Sequence, residues 1–108
     1  MAARGFALTP KARRDLDEVF AYSVERFGLA QAERYYWRLI GACEAIAQDL
    51  RSTRPAPGRS EFRLCSEGSH VIVFRQSEAR VEVHGFLHKR MNLTARLSTL
   101  RKNDAPPD

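Results

Sequence analysis

Residues 9–50 carry two stretches of helical hydrophobic periodicity with a single break between them, and this pattern constrains the fold most. Thr9 can accept a hydrogen bond from an unpaired N–H of the first turn, and Pro10 suits the first helical position. Gly28 is a natural left-handed stop. The pattern predicts two amphipathic helices that fold back on each other at residues 27–29. The predicted buried faces comprise Ala12, Leu16, Val19, Phe20, Ser23, Phe27, Ala32, Tyr36, Leu39, Ile40, Cys43, Ile46, Ala47 and Leu50.

The remaining residues predict a small sheet and one further helix. Strand patterns occur at residues 5–8, 61–65, 70–76 and 80–88. The first strand is expected at or near a sheet edge, and residues 51–60 are expected to form a loop because they contain two prolines and a glycine. A short helix is predicted after Met91, with Asn92 as its cap. The fold class is therefore α+β: an N-terminal strand, an α-helical hairpin packed on a small antiparallel β-sheet, and a short C-terminal helix.

The last strand alternates, so its two faces differ in composition. Val81, Val83, Gly85 and Leu87 are expected on one face, and Glu82, His84, Phe86 and His88 on the other. A helical hairpin can cover only one face, and the aliphatic set belongs under it. The other face, which also receives Arg63, is either an open binding surface or is covered by the C-terminal segment.

Length and composition limit the possible classes. A chain of 108 residues predicts a single domain, taken as residues 1–102, with a disordered tail at 103–108. No apolar run is long enough to cross a membrane, and no signal peptide is recognised at the N-terminus. Cys43 and Cys65 lack metal-ligand spacing and are expected to be reduced, which fits the cytoplasm. No phosphate-binding loop or catalytic motif is present.

The net charge of +5 is unevenly distributed. Residues 1–50 contain seven basic and seven acidic side chains, whereas residues 51–108 contain eleven basic and six acidic ones. The whole excess therefore lies in the second half. Such asymmetry indicates either an acidic partner or nucleic acid, or a basic surface that serves solubility.

Four segments, taken together in this order and spacing, resemble the ParE toxins of the RelE/ParE superfamily, the toxin half of bacterial ParDE-type toxin–antitoxin modules. They span residues 8 to about 97. They are Leu8-Thr9-Pro10-Lys11-Ala12 with Asp15-Leu16, Gln31-Ala32-Glu33-Arg34-Tyr35, Gly68-Ser69-His70-Val71-Ile72 with Phe74-Arg75, and Val81-Glu82-Val83 with Leu87-His88-Lys89-Arg90-Met91.

The resemblance implies partners but no cofactor. It implies a ParD-like antitoxin whose acidic C-terminal segment wraps the toxin, lying in the groove beside the hairpin and along the sheet. It implies DNA gyrase as the target, and operator DNA is reached only through the antitoxin. By position and chemistry, the candidate partner-binding residues are Tyr35, Tyr36, Trp37, Arg63, Arg75, Phe86, His88 and Arg90.

A ribosome-dependent mRNA endonuclease of the RelE type is the alternative. Such chemistry needs a base for the 2′-OH, an acid for the leaving oxygen and cations for the phosphate. His88 would be the base, with Arg63 and Arg75 as the cations. No tyrosine follows Tyr36, so the acid is missing or would be Lys89. A third reading is an antitoxin-binding protein that has lost its toxicity.

Overall fold

The computed structural model describes residues 5–101 and 103–107. It contains one five-stranded sheet and three α-helices. The strands and helices follow the chain as β1 (Gly5–Leu8), α1 (Pro10–Phe27), α2 (Leu29–Ala47), β2 (Arg54–Ala56), β3 (Arg59–Glu67), β4 (His70–Gln76), β5 (Arg80–His88) and α3 (Leu93–Ser98). None of the helices in this part of the chain has the length and hydropathy needed to traverse a bilayer.

The α+β class is confirmed, and the sheet is mixed. Its strand order is β1-β5-β4-β3-β2. Strands β2 to β5 pair antiparallel, whereas β1 pairs parallel to β5 with Phe6 opposite Val81. A parallel pair requires a long crossover between its strands. Here the crossover includes the α1–α2 hairpin, and it leaves β1 as an edge strand, as expected.

The hairpin begins and turns where the sequence predicts. The Thr9 hydroxyl accepts a hydrogen bond from the Ala12 N–H at 3.2 Å, and Pro10 occupies the first turn. Gly28 has a φ of 87°, which glycine adopts without a Cβ penalty, and it separates the two helices. The second helix ends at Ala47, three residues before the predicted limit of the hairpin, because Asp49 turns the chain with a φ of 58°.

Two buried clusters lie on opposite faces of the sheet. The hairpin covers the larger one, which includes Leu16, Leu39 and Phe74. The second contains Phe62 and Leu64 on β3, Val71 and Val73 on β4, and Leu97 and Leu100 near the C-terminus. The C-terminal segment therefore folds back over the second face, which confirms that alternative and excludes a fully open sheet.

A β-bulge in β5 changes the predicted alternation. Val73 pairs with Gly85 and Phe74 pairs with Val83, so His84 is the extra residue. Beyond the bulge the side chains exchange faces. Phe86 packs under the hairpin and Leu87 packs beneath α3, opposite to the strict alternation. His88 also lies on the hairpin side, because it pairs with His70, which contacts Tyr35 of α2. The sequence prediction for these three residues is wrong because the inserted residue reverses the alternation of faces.

The segment predicted as a loop contains a strand, which is a second correction. Residues 54–56 pair with β3, and Pro55 lies opposite Arg63 at the outer edge of the sheet. Proline is compatible with an edge strand because its missing N–H removes no bond from a second neighbour. The β3 strand is also longer than predicted, at Arg59–Glu67.

The last residues lie close to the opposite edge of the molecule. Pro106 is buried, and it lines an apolar depression with Phe6, Leu8 and Ile40. The disorder expected for residues 103–108 stays a prediction, and Asp108 lies outside the described residues.

Candidate functional site

A groove separates α1 from the C-terminal segment, with the ends of β4 and β5 as its floor. Its volume is about 380 Å³. One wall is formed by side chains of α1, the floor by β4 and β5, and the other wall by residues at and around α3. The lining residues are Lys11, Asp15, Glu18, Val19, Tyr22, His70, Phe86, Leu87, His88, Met91, Arg96 and Thr99.

Asp15 connects the α1 wall to the floor. Its Oδ2 accepts hydrogen bonds from the Lys11 ammonium at 2.6 Å and from the Phe86 backbone N–H at 3.1 Å. A Cβ at Gly85 would approach this oxygen to 3.2 Å, so glycine allows the close contact. The bulge at His84 interrupts the strand ladder beside this point. Asp15 therefore accepts the backbone N–H of Phe86 close to the bulge in β5.

His70 is fixed at the floor of the groove by Tyr35. The Tyr35 hydroxyl lies 2.6 Å from His70 Nδ1 and accepts a hydrogen bond from the Ser69 N–H at 3.1 Å. Burial, with a smaller effect of His88, lowers the pKa of His70 to about 4. The neutral ring accepts the tyrosine proton at Nδ1, which leaves Nε2 as the donor.

His88 lies beside His70, with 5.2 Å between the ring centroids. Its Nδ1 accepts the Arg90 backbone N–H at 3.0 Å. In the neutral imidazole the proton is then on Nε2, so neither nitrogen has a free lone pair to act as a base. His88 is suited to donating a hydrogen bond to an acidic group.

Arg59 holds the opposite wall in place. Its guanidinium donates to the carbonyl oxygens of Leu97 and Leu100, at 2.5 and 2.9 Å, and stacks over Phe62. Those carbonyls lie at the C-terminal end of α3, where a cation also complements the helix dipole. Arg96 and Thr99 line the groove next to these two carbonyls in the chain. Their positions therefore depend on Arg59 of β3.

Comparison with known proteins identifies the family to which this chain is similar. The sequence model of the "ParE toxin of type II toxin-antitoxin system, parDE" matches residues 6–93. The chain is 37% identical over 93 residues to "Toxin ParE1" of Caulobacter vibrioides, covering 85% of this chain and 96% of that protein.

This chain belongs to the ParE toxin family. "Toxin ParE1" of Mycobacterium tuberculosis is 32% identical over 94 residues, again with 85% and 96% coverage. A solved structure, "Chromosomal ParDE TA system from P. aeruginosa", superposes with a TM-score of 0.67 at 15% identity, covering 80% of this chain and 96% of that one. That structural likeness shows the shared ParE fold.

The structure separates the three residues considered for RNA cleavage. His88 pairs with His70 at one end of β4, and Arg75 pairs with Glu82 at the other end. Five residue steps separate these positions, or roughly 17 Å at about 3.3 Å per residue. Arg63 lies opposite Phe74 and bonds Thr53 Oγ1 at 3.0 Å on the hairpin side, whereas Arg75 lies on the α3 side, near the buried His84. The three side chains do not form one site.

The other predicted contact residues occupy different surfaces. Phe86 is 3% exposed, which corrects its placement on an open face, whereas Arg90 is exposed beside the groove. Tyr36 is half-buried and packs edge-to-face on Phe20 and Trp37. Trp37 is 64% exposed. Their roles in partner binding stay predictions.

Of the groove residues, only Phe86 and His88 were among the predicted site residues. The residues that escaped the sequence prediction include Lys11, Asp15, Tyr22, His70 and Arg96. A usable signal existed for three of them, because Lys11, Asp15 and Tyr22 share one face of α1 at steps of four and seven. No signal in the sequence connects that face to Arg96, since their proximity depends on the path of the C-terminal segment. The described residues contain no cluster of side chains that could hold a metal ion.

Proposed function

We propose that this ParE-family chain is a growth-arresting toxin that binds and inhibits DNA gyrase in the cytoplasm, and that a ParD-type antitoxin neutralises it from the groove. The observation that supports binding over catalysis is the hydrogen bond from the Arg90 N–H to His88 Nδ1. It occupies the lone pair that a general base needs. The separation of Arg63 and Arg75 from His88 adds to this support.

The groove has the chemistry that an acidic amphipathic segment requires. Val19, Leu87 and Met91 offer apolar contacts, and Arg96 and His88 offer N–H donors at the rim. The antitoxin segment would order on binding and place apolar side chains on the floor and carboxylates at these donors. Its negative charge would offset the +5 of the toxin.

A supercoiling assay tests the target. Purified gyrase, relaxed plasmid and ATP are combined with this protein, with and without the antitoxin. We expect inhibited supercoiling or trapped DNA cleavage, and we expect the antitoxin to restore supercoiling. Full supercoiling at a large toxin excess would overturn gyrase as the target.

Charge reversal tests the groove. Arg96→Glu should weaken the antitoxin complex by about tenfold, and more at low salt, because rim charges act through screened electrostatics. Arg90→Glu should have a smaller effect of the same sign. Arg63 faces Thr53 outside the groove, so Arg63→Glu is the matched control. Calorimetry that finds Arg63→Glu as damaging as Arg96→Glu would place the antitoxin elsewhere.

One observation favours the ribonuclease alternative. Tyr22, Lys11 and Arg96 line the same groove as His88, so a tyrosine and two cations share this groove with the histidine. Lys11 is paired with Asp15, however, and His88 is bonded to Arg90. Cleavage of ribosome-bound mRNA that disappears in His88→Ala, together with unaffected gyrase, would support this alternative.

A further inference from the structure

The segment that follows β5 carries cations that no carboxylate of the segment neutralises. Residues 89–101 contain no acidic side chain and four basic ones, which are Lys89, Arg90, Arg96 and Arg101. All four are exposed, and none of them forms an ion pair within the described part of the chain. This basic segment (residues 89–101) therefore carries a charge of +4 in a chain whose net charge is +5.

Contacts to the sheet fix the backbone of the basic segment at both ends. The Lys89 N–H donates to the Ser69 carbonyl at 2.9 Å, in the turn between β3 and β4. Leu97 and Leu100 are buried against the sheet, and Arg59 bonds the carbonyl oxygens of both. The cations therefore stand on the solvent side of an ordered backbone, which lowers the entropy cost of binding a ligand there.

The carboxylates at the two ends of the basic segment do not neutralise it. At the end next to β5, Glu67 is already bonded to Arg38 and Arg51. Beyond the other end, Asp104 lines a depression that also contains Arg75, at the opposite ends of the strands. The positive potential of the basic segment is therefore available to an external anion.

The antitoxin groove accounts for only part of the basic segment. Of its four cations, only Arg96 lines the groove, and the other three lie outside it. The carboxylates that line the groove, Asp15 and Glu18, both belong to the α1 wall. A long anion would therefore be repelled from α1 and attracted to the outer side of the basic segment.

The backbone of duplex DNA fits these cations. A duplex presents phosphates along both strands, and lysine and arginine are the side chains that most often neutralise them. Single-stranded nucleic acid is instead held largely by stacking of its bases on aromatic rings. No phenylalanine, tyrosine or tryptophan follows Phe86 in the sequence. The composition therefore favours phosphate contacts to a duplex, without recognition of its bases.

We propose that the basic segment binds the phosphate backbone of duplex DNA independently of sequence, and that the acidic segment of the antitoxin displaces this DNA. The role of the contact rests on the function proposed above, because gyrase holds duplex DNA and the toxin would grip the enzyme and its DNA together. Recognition of an operator sequence is not involved. Arg96 is within reach of both ligands, so an occupied groove and bound DNA exclude each other.

DNA binding by the toxin alone tests the contact without gyrase. Fluorescence anisotropy of a labelled duplex of about 20 base pairs is measured between about 50 and 200 mM salt. Four phosphate contacts predict a slope of log K against log salt concentration of about −3 to −4, so affinity should fall roughly 100-fold over this range. The acidic segment of the antitoxin, added as a peptide, should release the duplex.

Substitutions outside the groove assign the contact to the basic segment. Lys89→Gln and Arg101→Gln should each make the slope less negative by about 1 and weaken binding roughly tenfold at about 0.1 M salt. Arg34→Gln removes the same charge from an exposed site on α2 and is the matched control, which should change neither quantity. Antitoxin affinity, measured by calorimetry, should be unchanged in all three variants.

A folded toxin that shows no salt-dependent DNA binding would overturn the proposal, even if it inhibits gyrase. Equal slopes in Lys89→Gln, Arg101→Gln and Arg34→Gln would also overturn it, as would tighter binding of a single-stranded RNA of the same length. A duplex that stays bound at saturating peptide would overturn the displacement. DNA binding together with full supercoiling by gyrase would instead overturn gyrase as the target and leave the DNA contact standing.

Discussion

Two helices of 18 and 19 residues cover one face of the sheet, whereas α3, with six residues, covers the other. On the hairpin side, the apolar faces of two long amphipathic helices pack on the sheet and form one continuous core. On the α3 side, Leu97 and Leu100 pack on the sheet, and Arg59 bonds the last carbonyls of the segment. The first side is held by periodic packing and the second by contacts between residues distant in sequence.

Truncation of a core leucine should give the largest difference in stability loss between the hairpin side and the α3 side. Leu16 and Leu97 are both 0% exposed. Leu16→Ala should cost about 3 kcal/mol because the long hairpin cannot collapse into the cavity. Leu97→Ala should cost less, about 2 kcal/mol, because a six-residue helix can shift. Urea denaturation measures both, and equal losses would show that α3 is held as rigidly as the hairpin.

Asp15 joins the hairpin to β5, and its removal should be the next largest effect. Asp15→Ala leaves the Phe86 N–H without its partner and Lys11 without its carboxylate, at a cost of about 2–3 kcal/mol. Asp15→Asn keeps an oxygen acceptor and should recover part of this loss. Thermal denaturation of both variants checks the order, and identical melting temperatures would contradict a role for the acceptor.

The two faces of the sheet carry histidines whose pKa values are both lowered by burial, His70 and His84. His70 shifts from an ordinary 6.5 to about 4. Between these values the unfolded chain binds a proton that the folded chain lacks, so the free energy of unfolding rises with pH and is lost as the pH falls. We expect about 2 kcal/mol from His70, reduced by its partial exposure.

His70→Gln isolates the contribution of the hairpin side. Glutamine can still accept the Tyr35 hydroxyl but does not titrate, so the dependence of stability between pH 4 and pH 6.5 should flatten. The dependence that remains should come from His84 on the opposite face, whose Nε2 has no hydrogen-bond partner in the described structure, and from Glu67, whose pKa is also lowered. A slope identical to that of the wild type would contradict the role of His70.

Arg59→Ala should have the smallest effect on global stability, about 1 kcal/mol, because it removes hydrogen bonds to two carbonyls and leaves the core side chains in place. It should instead loosen the groove wall, since the Leu97 and Leu100 carbonyls lose their donor. Hydrogen exchange should increase in residues 93–100 and stay unchanged in α1. Uniformly faster exchange across the chain would show that the two sides are not independent.

The sequence predicts the hairpin side well and the α3 side incompletely. Helix spacing, the Thr9 cap and the Gly28 turn are local signals, so α1 and α2 could be placed directly. The bulge at His84 is not encoded in any local pattern, because Arg80–His88 alternates without interruption. This single inserted residue explains why Phe86, Leu87 and His88 were assigned to the wrong faces.

The groove shows the same division. His88 and Arg90 were recognisable from the strand end, and the α1 face was recognisable from its spacing. Arg96 joins them only because residues 89–100 cross beneath the sheet, guided by Arg59. Contacts of this kind depend on tertiary packing. The sequence determines that packing, but no local sequence pattern reveals it.

Direct binding to gyrase tests the central claim. Purified gyrase is immobilised, this chain is titrated over it, and the ParD-type antitoxin is then added in excess. The account predicts saturable binding of the toxin and loss of its inhibitory effect on the captured enzyme once the antitoxin is present. Absence of binding at micromolar concentrations of a folded, growth-arresting toxin would contradict gyrase as the target.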